Sequence, residues 1–180
     1  MCTLISLAQA TCPTVAGGVR ETWITSCDNI SSVTWDANNQ VTNFTMSTPG
    51  TWTRFLYNDD DTAKFDSENT GSGNLRRYTQ IFEAYFSGLD NVKRNAAMAL
   101  DDCCCLVVVH FLNSGLAVVQ GIQKLSTAPF FKTTNKRLRS KTSLLHDTGA
   151  NEDRLKLTME SISTEHHYYT TLTETAIAAL

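Results

Sequence analysis

Short stretches in which apolar and polar residues alternate, separated by clusters of Asn, Asp, Gly and Ser, run through most of this chain. A period of two predicts strands. Residues 19–25, with Trp23 and Ile24, form the first. Residues 32–35 and 41–46 flank the turn-rich segment 36–40 and predict a hairpin. A further strand, 51–57, follows Pro49 and Gly50 and is ended by Asn58, Asp59, Asp60 and Asp61. Residues 64–68 and 75–86 flank 69–74, whose Gly71 and Gly73 can take positive φ, so a second hairpin is expected there.

The period changes at 89–100, where Leu89, Val92, Ala96 and Leu100 recur at three- and four-residue steps. That spacing predicts one helix, with Asp90 near its start, where the helix dipole favours a carboxylate. Residues 103–112 are then apolar except for His110, and 116–122 follow the turn residues Asn113, Ser114 and Gly115. An unbroken apolar run implies a strand covered on both faces, so this hairpin is expected at the centre of the core. Residues 123–143 lose the pattern and read as a long loop. Leu155, Leu157 and Met159 restore period two, and 167–172 supply a last Thr- and Tyr-rich strand. The weakly patterned residues 1–18, with Pro13, Gly17 and Gly18, suit an N-terminal arm. The expectation is an arm at 1–18 and one α+β, mostly β, domain at 19–180, without repeats or linkers.

Composition agrees with that division. The chain of 180 residues is long enough to bury a core without staples. Thr is its commonest residue and charged residues make up only 18%, a balance that suits half-buried pleated surfaces. A net charge of -3 gives no global basic field, so any contact with nucleic acid should be loose. The N-terminus lacks a basic leader and no apolar run approaches a membrane span, so a soluble, unprocessed protein without membrane insertion is expected. Cys103, Cys104 and Cys105 are consecutive; neighbours on a strand point to opposite faces and cannot readily pair with one another. With no secretion signal, the six cysteines are expected to be reduced.

Candidate chemistry adds little. Cys2, Cys12 and Cys27 lack zinc spacing, and His110, His146, His166 and His167 form no HExxH motif. His110 reads as a core or interface histidine with both nitrogens bonded. The pair His166 and His167 would point to opposite faces of a strand. Asp59, Asp60 and Asp61 lack the alternating ligands, central Gly and terminal Glu of a calcium loop. Gly71-Ser72-Gly73 and Ser114-Gly115 are turns and not phosphate loops. No catalytic residue, cofactor or metal is expected.

Charge placement carries more information. Residues 103–146 contain no Asp or Glu, yet Lys124, Lys132, Lys136, Arg137, Arg139 and Lys141 cluster there, while 58–68 is acidic. Both segments could simply be solvated. Alternatively, Lys132, Lys136, Arg137, Arg139 and Lys141 of one copy dock against Asp59, Asp60 and Asp61 of the next, a head-to-tail contact that makes rings or filaments. A nucleic-acid contact would want stacking aromatics beyond Phe130 and Phe131.

The order of elements, from the Gly17-Gly18-Val19 lead-in and the 32–46 hairpin through one helix, the hairpin 107–121 and the late strand 154–160, resembles the tail tube proteins of tailed bacteriophages. The resemblance spans residues 17–172. It implies a β-sandwich or barrel of tail-tube type with one flanking α-helix, assembled in hexameric rings whose strands line a continuous barrel, stacked into a tube that conducts DNA to the host. It implies no catalytic residues. Residues 1–18 and 123–143 would grip the adjacent ring. Partners would be the protein itself, other tail proteins (terminator, baseplate or tip, and a sheath if the tail is contractile) and DNA in transit. The location would be the virion tail, after assembly in the host cytoplasm. The basic stretch 124–141 and the cysteine triplet depart from that pattern. Two other classes fit the composition: a capsid decoration or head-to-tail connector protein, and a small enzyme or ligand-binding barrel using His110 or His166.

Overall fold

The structure, a computed structural model, describes residues 18–47, 52–57, 62–72, 76–87, 90–134, 136–146 and 153–180. The expected arm and Asp59, Asp60 and Asp61 lie outside these residues, apart from Gly18. The strands in chain order are β1 (Val19–Ser26), β2 (Ile30–Trp35), β3 (Val41–Met46), β4 (Thr53–Leu56), β5 (Thr62–Asn69) and β6 (Tyr78–Ser87). Helix α1 (Asn91–Asp101) comes next, then β7 (Leu106–Leu112), β8 (Ala117–Gln120), β9 (Ile122–Lys124), β10 (Phe131–Thr133), β11 (Lys136–His146), β12 (Asp153–Ser163), β13 (Tyr168–Thr170) and helix α2 (Glu174–Ala178). The protein is α+β and mostly β.

Two sheets carry the fold. A seven-stranded sheet has the order β2-β3-β13-β8-β7-β1-β4, and a four-stranded sheet the order β11-β12-β6-β5, with β10 and β9 forming a separate ribbon. Every pairing is antiparallel except β13 with β3. In β6 and β12 the alternation is complete: Phe82, Ala84 and Phe86, with Leu155, Leu157 and Met159, are buried, while their neighbours face outward. This inner face packs on Ile24, Phe55, Leu106 and Val108 of the larger sheet and on Ala96, Ala97 and Leu100 of α1. The other face of the larger sheet covers a second core around Val33, Phe44, Val107, Val109, Val119 and Tyr168, closed by Ile177 of α2. Strand β7 thus lies between two cores, as its unbroken apolar run predicts.

Other expectations need correction. Residues 123–143 are not a long loop, because they hold the end of β9, all of β10 and most of β11. The inward face of β11 uses Leu138 and then the hydroxyls of Ser140 and Thr142, both bonded to Asp101, so the apolar half of the alternation is missing from the sequence. Helix α1 buries Ala96, Ala97 and Leu100 but leaves Val92 exposed; Asp90 is its N-cap, accepting from the Lys93 N–H at 2.7 Å. A second helix, α2, is capped by Thr173, whose hydroxyl accepts from the Ala176 N–H. Its single turn is too short to show a period.

The cysteines are not all reduced. Cys27 and Cys105 form a disulfide, with Cα atoms 5.6 Å apart and a separation of 78 positions in sequence. Cys103 is also disulfide-bonded, and Cys104 is free. The β1–β7 ladder ends at Ser26 opposite Leu106, which brings the next residue, Cys27, beside Cys105. Only the pairing of distant strands creates that proximity.

Candidate subunit interface

The outward face of the four-stranded sheet is built from period two alone. Once Phe82, Leu157 and their neighbours point into the core, Ile81, Glu83 and Tyr85 on β6, Lys156, Thr158 and Glu160 on β12, and Lys64, Asp66 and Glu68 on β5 must face out. Charges of opposite sign stand side by side there. Glu83 bridges Lys156 at 2.6 Å and Lys64 at 3.3 Å, and Lys64 also meets Asp66 at 3.5 Å. The hydrogen bond from Lys156, and then that from Lys64, hold the Glu83 carboxyl below the usual carboxylate range. Both lysines are raised, chiefly by Glu83.

The two edges of this sheet differ. On β11, Arg137, Arg139 and Lys141 are exposed while Leu138 is buried. A cleft of about 460 Å³ is lined by Arg137, Arg139, Ser140, Lys141, Thr158 and Glu160. On β5, Asp66 and Glu68 point out beside Lys64. Among the described residues neither strand has a further strand on its far side, although Asp101 of α1 bonds the Thr142 N–H of β11. Arg137, Arg139 and Lys141 are therefore gathered on one long edge strand. Lys136 begins that strand, and Lys132 stands apart, exposed on the β9–β10 ribbon. Asp66 and Glu68, the described part of the acidic stretch 58–68, fall on this second edge, whereas Asp59, Asp60 and Asp61 lie outside the described residues.

Behind this sheet lies a buried polar chain that joins it to the larger one. His110 is fully buried, stacked on Phe82 with ring centroids 4.3 Å apart. Its Nδ1 lies 3.0 Å from the Thr22 hydroxyl and its Nε2 3.1 Å from Gln120 Oε1. Gln120 Nε2 donates to the Gln80 carbonyl at 3.0 Å. The amide oxygen of Gln120 can only accept, so His110 carries its proton on Nε2 and takes the Thr22 O–H on Nδ1. Burial lowers its pKa to about 3, and it is a neutral core residue with both nitrogens bonded, as its place in an apolar run predicts. His166 is exposed and His167 half-buried just ahead of β13, and His146 ends β11. No group of three His, Cys, Asp or Glu that could hold a metal occurs among the described residues, and no helix there is long and apolar enough to cross a membrane.

Fold and surface together define a mostly β sandwich with one long-stranded sheet whose two outer strands have no further strand beside them among the described residues. No protein-family model matches the chain, and no curated protein matches it in sequence.

Proposed function

We propose that this protein is a structural component of a virion that polymerises with copies of itself, as stacked hexameric rings forming the tail tube through which phage DNA passes to the host. The observation that carries the reading is the open four-stranded sheet. Its outer strands, β11 and β5, are 11 and 8 residues long, and long unpaired edges are a liability that pairing with another chain removes. In the rings, such sheets would join edge to edge into a continuous barrel with the polar, charged face turned to the channel. Lysines and carboxylates neutralising one another on that face suit a surface past which DNA slides without being held. The basic residues Arg137, Arg139 and Lys141, on a paired strand, serve this reading as an edge between subunits within a ring and no longer as a loop gripping the next ring.

Negative-stain electron microscopy of the purified protein, with a mass measurement in solution, tests the proposal. Stacked rings or tubes with an open channel are expected. Closed rings without stacking would favour a head-to-tail connector, trimers a capsid decoration protein, and a uniform monomer with a small-molecule ligand a binding barrel.

A further inference from the structure

We infer that the β11 edge of one copy joins the β5 edge of the next in a fixed register, set by Arg139 and Lys141 against Glu68 and Asp66. This contact rests on the self-assembly reading and supplies its partner surface, a second copy of this chain.

Three facts carry it. Strand direction is the first. β11 is antiparallel to β12, β12 to β6, and β6 to β5, so β11 and β5 run in opposite directions. A rotation that sets β5 of one copy beside β11 of another therefore produces an antiparallel pair, repeatable around a ring.

Charge is the second. The outward side chains of β11 are basic at Arg137, Arg139 and Lys141, and the outward side chains of β5 are acidic at Asp66 and Glu68. The two edges of one sheet thus complement each other, the arrangement that makes a heterologous contact, whereas β11 set against itself brings only like charges together.

Register is the third. The ladders connect Lys141 to Thr158, Thr158 to Glu83 and Glu83 to Lys64 in one row across the sheet, and Arg139 to Glu160, Ile81 and Asp66 in the next. If the next copy continued these rows without a shift, Lys64 would face Lys141. A slide of two residues sets Asp66 opposite Lys141, Glu68 opposite Arg139, and Lys64 opposite the neutral Ser143. Closing a sheet into a barrel requires such a stagger between strands, and two is the smallest slide that keeps every side chain on its own face. The arrangement that closes the barrel also relieves the one like-charge pair.

Part of the β11 edge is engaged in the isolated subunit. Asp101 accepts from the Thr142 N–H at 3.1 Å, so backbone pairing at Thr142 requires that carboxylate to move aside, and the exposed charges meet before the strands zip.

The test uses the full chain in three forms: Arg139→Glu with Lys141→Glu, Asp66→Lys with Glu68→Lys, and all four together. All four side chains are exposed, and far-UV circular dichroism monitors folding. Wild type is expected to assemble, each double variant to need roughly tenfold or more protein to do so, and the fourfold variant to recover. Mixing the two double variants should restore assembly as alternating copies, because the acidic β11 edge of one meets the basic β5 edge of the other and the two unaltered edges also match. Wild-type assembly with both double variants assembling equally well would overturn this contact and leave self-assembly standing. Folded wild type that stays monomeric at every concentration and salt would overturn both.

Discussion

Asp101, the last residue of helix α1, holds Thr142 on the edge strand β11 twice, accepting from its backbone N–H at 3.1 Å and from its hydroxyl at 2.5 Å. The same carboxylate accepts from Ser140 Oγ at 3.0 Å. An acidic side chain at a helix C-terminus opposes the helix dipole, so these contacts offset an unfavourable position. They also cover a stretch of edge that would otherwise be open. Replacing Asp101 by Ala should raise hydrogen exchange at the Thr142 amide at least tenfold and cost about 1–3 kcal/mol. Unchanged protection of that amide would show that the clamp is not what shields the edge.

His110 makes stability depend on pH. Its folded pKa, about 3, lies below its ordinary value of 6.5 because burial disfavours the charged ring. Between those values the unfolded chain binds the proton and the folded chain does not. The stability from keeping His110 neutral is therefore complete above pH 6.5 and is lost as pH falls towards 3. By pH 4.5 the loss should be roughly 2–3 kcal/mol. Urea titrations at pH 7.5 and 4.5 check this by comparison with His110→Gln, which should lose less over that interval; equal losses in the two proteins would refute the assignment.

The Cys27–Cys105 bridge closes a long loop, its ends 78 positions apart in sequence. Constraint of the unfolded chain over that length is worth roughly 4 kcal/mol. Cys27→Ser with Cys105→Ser should lower the denaturant midpoint accordingly while leaving circular dichroism unchanged. A midpoint equal to wild type under non-reducing conditions would mean that the bridge adds nothing.

Two glycines with similar backbone angles should respond differently to alanine. Gly121 has φ +100, and a Cβ there would stand 2.5 Å from the Leu106 carbonyl oxygen and 3.2 Å from Leu138. Gly115 has φ +85, but nothing lies within 4 Å of its Cβ position. Gly115→Ala should cost about 1 kcal/mol, for the left-handed conformation alone. Gly121→Ala should cost about 3 kcal/mol or more, because backbone must also move. Thermal melts of both variants decide, and equal costs would show that the close approach at Gly121 relaxes without penalty.

Legibility in the sequence followed how local each signal was. Phe82, Ala84 and Phe86 declare β6 because each lies two residues from the next on one buried face. The run through Val107, Val108 and Val109 declares a strand covered twice, and Asp90 declares a helix start. Strand β11 was hidden because its inward face is satisfied by Asp101, a residue 39 positions from Ser140. The joining of Cys27 to Cys105 was hidden likewise, since nothing near either cysteine marks the other.

The sequence alone therefore determined the mostly β class, the central hairpin at β7 and β8, the outward or inward facing of most side chains, and the place of His110 as a bonded histidine in the core. These follow from periods of two or four residues and from short apolar runs, which act between neighbours. The tertiary structure decided which strands became edges, that Arg139 and Lys141 stand at one end of a sheet and Asp66 and Glu68 at the other, and which cysteines meet. Those outcomes depend on pairing between segments far apart in the chain, where the spacing of residues carries no record of the partner.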